Sequence, residues 1–290
     1  MMHEVVNQIL DETSKRVAAI KIPPKNSDNK KMHNKRDVVA AIRRKQIKGD
    51  IPVIAEVKPA SPSQKYMEIS PEKASDIATQ MERAGAIAVS VLTEPDFFHG
   101  SLDNLERVRQ KVHLPVLRKD FMIDEKQLEE VKCDIILLMT GILGTRIGHF
   151  VDLAVSKGME PLVETQNEEE LYIALATNAK LIGINNRNFN TMEVNLNNTK
   201  ILAPLIRKYD VEHGTDHIII SESGIHSGAD AIKLIEAGAD ALLIGTAIIK
   251  SDDIYHKTKE LVEAKKCTKN FAGPKVKGSL QEYVEGSEHI

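Results

Sequence analysis

The chain has no tryptophan, only two cysteines, Cys133 and Cys267, and no run of about 18 apolar residues. Two thiols without a framework or zinc-ligand spacing exclude a disulfide-stapled fold and a structural zinc site, so a reducing cytoplasm is the expected setting. The missing apolar run predicts no membrane span. Met1-Met2-His3-Glu4 lacks a basic region followed by an apolar core, so no export signal is expected. An excess of one charge sign is lacking too, because 39 basic and 42 acidic residues leave a net charge of −3. With no block of like charge, neither nucleic acid nor an anionic membrane is an expected partner, and a small soluble ligand is. No G-x-G-x-x-G follows an apolar run, which removes the usual signal of an open dinucleotide-binding sheet. The histidines are scattered, and His213 and His217 do not share a helix face, so no metal is expected.

What the chain does have is length and periodicity. Its 290 residues, 42% hydrophobic, can bury one large core or two ordinary ones. Val5, Val6, Ile9, Leu10, Val17 and Ile20 recur at helical spacing. Pro23-Pro24 then breaks that helix, and Asp37 can cap a second one over Val38 to Lys45. From Ile51 the pattern alternates apolar runs with amphipathic segments. Strands are expected at Val53–Val57, Ala88–Leu92, Pro115–Arg118, Asp134–Leu138, Glu160–Val163, Leu181–Asn185, His217–Ser221 and Ala241–Gly245, and each is followed by a helix, the third of these over Glu125–Val131. Eight such units in series predict an α/β fold, a single (β/α)8 TIM barrel over 51–264. Residues 1–50 are expected to form an N-terminal helical extension outside the repeat, and 265–290 a polar C-terminal tail.

In such a barrel the chemistry gathers where strands end. Glu56 and Lys58, two apart on a strand, project to one side. A strand-end ion pair alone explains little, but polar groups recur at Glu94, Arg118-Lys119-Asp120, Glu164, Asn185-Asn186-Arg187, Ser221-Glu222-Ser223-Gly224 and Gly245-Thr246. So many polar ends on one rim are costly to desolvate without a ligand. Ser223-Gly224 and Gly245-Thr246 have phosphate character, with small residues and exposed amides after strands seven and eight. Lys58 and Lys119 share a cavity in this reading, and their mutual repulsion is expected to lower the pKa of one of them. Glu56, Glu164 and Glu222 align the lysines or accept protons, and Arg187 suits a carboxylate or phosphate. Phe98 and Phe121, with Phe97, offer an apolar wall for a ring.

These residues resemble the indole-3-glycerol-phosphate synthase family of tryptophan biosynthesis. The matching segments are Ile54-Ala55-Glu56-Val57-Lys58 with Ser61-Pro62-Ser63, Ser90 to Pro95 with Phe97 to Ser101, and Leu117-Arg118-Lys119-Asp120-Phe121. Glu164, Gly183-Ile184-Asn185-Asn186-Arg187 and Ser221-Glu222-Ser223-Gly224-Ile225 complete the series. The resemblance implies a carboxy-lyase that closes a ring in 1-(2-carboxyphenylamino)-1-deoxyribulose 5-phosphate, losing carbon dioxide and water, with no cofactor and no metal. It implies Lys119 as general acid, Glu164 as general base or acid in dehydration, and Glu56 and Lys58 as orienting partners. Ser61, Phe98, Phe121, Asn185, Arg187, Glu222 and Ser223 are implied to line the substrate, and Gly224, Gly245 and Thr246 its phosphate. Other tryptophan-pathway enzymes are implied as partners. One departure stands out: the family often carries a basic residue and glycine after Ser-Pro-Ser, where this chain has Gln64-Lys65-Tyr66. A phosphoribosylanthranilate isomerase, or a phosphate-ligand sensor without catalysis, are the competing readings. Cys133 lies before a strand, which argues against the first, and Lys58, Lys119 and Glu164 together argue against the second.

Overall fold

A computed structural model describes residues 2–21 and 36–266. The break expected at Pro23-Pro24, Cys267 and nearly all of the expected tail lie outside the described residues. Eight parallel strands close on themselves: β1 (Val53–Val57), β2 (Ala88–Leu92), β3 (Val116–Lys119), β4 (Ile135–Met139), β5 (Glu160–Thr165), β6 (Leu181–Asn185), β7 (Ile218–Glu222) and β8 (Ala241–Ile244). Each pairs with its sequence neighbour, and β1 pairs with β8 through Val53 and Leu242. The barrel expected from the eight repeats is present.

Strand alternation sorts the side chains into two sets. Val53, Ala55, Val57, Ile136, Leu138 and Ile219 face outward and pack under the surrounding helices. Ile54, Leu117, Ile135, Leu137, Leu162, Ile220 and Leu243 face inward and fill the barrel. Continuing the inward parity by one step places Glu56, Lys119, Glu164, Asn185 and Glu222 at its carboxyl end. Strands β3, β5 and β7 run on through Lys119, Thr165 and Glu222, one or two residues further than the apolar pattern indicated. Pairing continues there because the charged side chains turn into the mouth of the barrel and the backbone has no reason to break.

The surrounding helices include α3 (Pro71–Arg83), α4 (Leu102–Lys111), α5 (Ile147–Ser156), α6 (Glu168–Leu175), α7 (Asn197–His213), α8 (Gly228–Glu236) and α9 (Ile254–Val262). The helix expected over Glu125–Val131 is only a 3₁₀ turn at Glu125–Glu129. Gln127 gives the reason: its side-chain oxygen accepts from Ile123 and Asp124 and its amide donates to Phe121, fixing a tight turn against β3.

The extension divides between the two ends of the barrel. Helix α1 (Glu4–Ala19) lies over the carboxyl end, where Arg16 pairs with Asp120 at 2.8 Å and the His3 amide donates to Phe189. Helix α2 (Val38–Ile47) closes the amino end, burying Val38 and Ile42 on the inward set while Arg43 pairs with Asp216 and Asp240 just before β7 and β8. Ile42 is fully buried, so Ile42→Ala should lower unfolding stability by about 2–5 kcal/mol, read from urea denaturation. A loss under about 0.5 kcal/mol, the range of an ordinary surface substitution, would mean that α2 is not part of the folded unit.

Candidate active site

Six residues from five strands meet around one ammonium group. Lys119 Nζ lies 2.9 Å from Glu222 Oε2 and 3.4 Å from Glu56 Oε2. Lys58 Nζ approaches the other oxygen of Glu56 at 3.7 Å, and the Ser90 hydroxyl of β2 donates to Oε2 at 3.4 Å. Behind them, Asn185 Nδ2 donates to Glu164 Oε1 at 3.0 Å. Gly245 makes the crowding possible, because a Cβ there would stand 2.3 Å from Glu56 Oε1.

The charges in this cluster are interdependent. Burial opposes the Lys119 charge, yet Glu222, Glu56 and Glu164 together hold its proton well above the ordinary lysine value. Burial raises Glu56, but Lys119, Lys58 and the Ser90 bond outweigh it and leave that carboxyl below its usual range. Glu164 goes the other way: burial and the neighbouring Glu222 charge push it up to about 8, against the pull of Lys119 and Asn185. At neutral pH the cluster therefore holds a firmly cationic Lys119, an ionised Glu56 and a protonated Glu164. The expectation that lysine repulsion would lower one pKa is corrected for Lys119, whose nearest charged neighbours are carboxylates.

Above the cluster opens a cavity of ≈ 510 Å³. Glu56, Lys58, Ser61, Phe98, Lys119, Phe121, Arg187, Ser223, Gly224, Gly245 and Thr246 all line it. Glu164, Asn185 and Glu222 are buried just beneath, reaching it through Lys119 and Glu56. Along one wall the Phe98 and Phe121 rings lie 6.1 Å apart, tilted 38°, and Lys58 Nζ stands 5.9 Å from the Phe98 centroid. Phe98 is held in place by Glu94, whose buried carboxylate accepts from the amides of Asp96, Phe97 and Phe98 at 2.8–2.9 Å. Glu94 is thus a loop anchor. Arg118 also leaves the site, facing outward to Asp120, Glu130 and the Gln127 carbonyl.

At the opposite end, Ser223 and Gly224 both have left-handed φ, 70° and 79°, uncommon for a serine and natural for a glycine. Asn186 braces this turn by donating to the Ser223 carbonyl at 3.2 Å. Arg187 Nη1 donates to the Met192 carbonyl, and among the described residues no carboxylate pairs with its guanidinium. Sequence reasoning missed part of the wall. His3, Val5, Val6 and Ile9 of α1 line the cavity, as do Tyr66, Phe189, Met192 and Lys250. The periodicity of α1 marked an apolar face without saying which end of the barrel it covers. Cys133 is buried against Met159 with its thiol pushed up to about 12, away from the cavity. Among the described residues no group of three or more His, Cys, Asp or Glu side chains is placed to hold a metal ion.

Comparison with known proteins agrees with this layout. The family model for indole-3-glycerol phosphate synthase matches residues 6–261. The chain is 42% identical over 215 residues to the indole-3-glycerol phosphate synthase of Aquifex aeolicus, covering 72% of this chain and 80% of that one. It is 40% identical over 222 residues to that of Methanocaldococcus jannaschii, covering 75% and 79%. With the Chloroherpeton thalassium protein of the same name it shares 39% identity over 257 residues, covering 85% and 95%. A crystal structure of 3-hexulose-6-phosphate synthase superposes with a TM-score of 0.58 at 17% identity, over 74% of this chain and 99% of that one, a likeness of fold alone. A family model spanning most of the chain and relatives at about 40% identity over most of their own length lead to one conclusion: the chain belongs to the indole-3-glycerol phosphate synthase family.

Proposed function

We propose that the protein is an indole-3-glycerol-phosphate synthase, acting on 1-(2-carboxyphenylamino)-1-deoxyribulose 5-phosphate in tryptophan biosynthesis. The observation that carries this reading is the Lys119 ammonium, shared by Glu222 and Glu56 at the floor of a cavity that Ser223, Gly224, Gly245 and Thr246 also line. The aryl ring lies against Phe98 and Phe121, its carboxylate meets Arg187, and the phosphate takes the end formed by Ser223, Gly224, Gly245 and Thr246. Ser61 and Asn185 complete the contacts, Asn185 through Glu164.

Ring closure begins when the aromatic carbon bearing the carboxylate attacks the ketone carbon. The ketone oxygen gains negative charge as the new C–C bond forms, and Lys119 donates its proton there. A strongly held ammonium is adequate for this, because a developing alkoxide is far more basic than any lysine. Glu56, ionised and beside both lysines, offsets the positive charge that develops on nitrogen. Carbon dioxide then leaves with its bonding electrons returned to the ring. In the dehydration, protonated Glu164 supplies the proton for the departing hydroxyl, and Glu56 takes a proton from the adjacent methylene. Lys58, over Phe98 and beside Glu56, holds that carboxylate in line.

In this reading residues 51–264 are the catalytic barrel and 1–50 its extension. Among the described residues no helix is long and apolar enough to cross a membrane, which suits a proposed cytoplasmic location, with pathway enzymes as partners. Purified protein with this substrate should develop indole absorbance, and Lys119→Met should lower kcat by roughly 10²–10⁴-fold with substrate affinity changed much less. Near-normal turnover in that variant would mean that another group is the acid. Because Glu164 donates while protonated, kcat should fall as pH rises through about 8, and Glu164→Gln should remove that limb along with most of the rate. A limb of the same shape in the variant would assign it to a different group.

A further inference from the structure

The first loop after β1 departs from the family pattern, with Gln64-Lys65-Tyr66 where a basic residue and glycine are common. In the structure this stretch is ordered as a small hairpin. Ala60 and Ser61 pair antiparallel with Lys65 and Gln64, and the amides of Tyr66 and Met67 both donate to the Pro59 carbonyl at 2.9 and 3.2 Å. That return delivers the Tyr66 ring to the cavity wall. Its hydroxyl lies 2.9 Å from Ser61 Oγ, and Thr246 lines the same cavity. Lys250, just past the short helix Thr246–Ile249, holds its Nζ 5.3 Å from the Tyr66 ring centroid. Among the described residues no carboxylate pairs with Lys250. Burial would raise the phenol, but Ser61, Thr246 and the Lys58 and Lys250 charges leave its proton more weakly held than usual. A cation that no described carboxylate pairs and a phenol bonded to a serine hydroxyl thus line the same cavity as the Ser223-Gly224 turn.

We propose that Tyr66 and Lys250 are phosphate-positioning residues: the Tyr66 hydroxyl and the Lys250 ammonium donate to the phosphate monoester of the substrate, alongside Thr246. This rests on the function proposed above for the same cavity. A hydroxyl bonded only to other hydroxyls exchanges a neutral partner for a dianion, and the charge-assisted bond it gains is the stronger one. Lys250, exposed at the cavity edge with its ammonium near the Tyr66 ring and no carboxylate partner among the described residues, gains a counter-charge there.

The test compares the full-length protein with Tyr66→Phe, Lys250→Met and Lys250→Arg. Two quantities are read: affinity for inorganic phosphate by calorimetry, and kcat and KM for the phosphorylated substrate and its dephosphorylated counterpart. Tyr66→Phe and Lys250→Met should each weaken inorganic phosphate binding roughly 10- to 100-fold. KM for the phosphorylated substrate should rise with them, while the dephosphorylated counterpart responds little and Lys250→Arg restores most of the affinity. Unchanged phosphate affinity in both variants, equal losses on both substrates, or a wild type that binds no inorganic phosphate would overturn the proposal. If the wild type forms no indole product and the variants still lose phosphate affinity, the clamp stands and the assigned reaction falls.

Discussion

One ammonium at the floor of the cavity organises this molecule. Lys119 is the point at which β1, β3 and β7 have to agree, because Glu56 and Glu222 reach it from strands far apart in the chain. A lysine in that position without its carboxylates would be an uncompensated charge in a low-dielectric interior, and two carboxylates without the lysine would repel. The closed ring of parallel strands satisfies both demands, since it turns the inward side chains of three non-adjacent strand ends toward one axis with no edge to slip. Burying this many ionisable groups contributes little to stability and much to preorganisation. Glu164, a carboxyl that keeps its proton, completes the arrangement by removing a third negative charge from the cluster.

Much of the fold was legible because parallel barrel strands are continuous apolar runs, and eight such runs separated by amphipathic segments leave few alternatives. The pairing of Glu56 and Lys58 followed from parity alone. Adjacent Arg118 and Lys119 show where that reasoning stops. Both are basic and both sit at one strand end, yet they face opposite sides, and only the pairing register shows that Lys119 turns inward while Arg118 secures the 3₁₀ turn behind β3. The direction of the Lys119 shift was misread for a related reason, since a sequence names the charges without saying which of them converge. Glu94 looked like one more rim carboxylate and proved to be a bracket for three amides.

The N-terminal helices illustrate a different gap. An amphipathic pattern records that a face is buried, and says nothing of what buries it. Val6 and Ile9 of α1 and Ile42 of α2 join the same inward cluster from opposite ends of the barrel, a division that their similar patterns do not disclose.

The placement of α1 makes the site a composite. The barrel supplies its floor and its charges, but His3, Val5, Val6 and Ile9 supply part of the roof. That roof is fastened through Arg16 to Asp120, the residue lying between Lys119 and Phe121 in the chain. Dielectric shielding of the reacting groups and the alignment of the third strand are therefore joined in one latch. Ions in the medium weaken a partly exposed pair far more than a sealed one, so through this contact salt at the outer surface acts on the strand that carries Lys119.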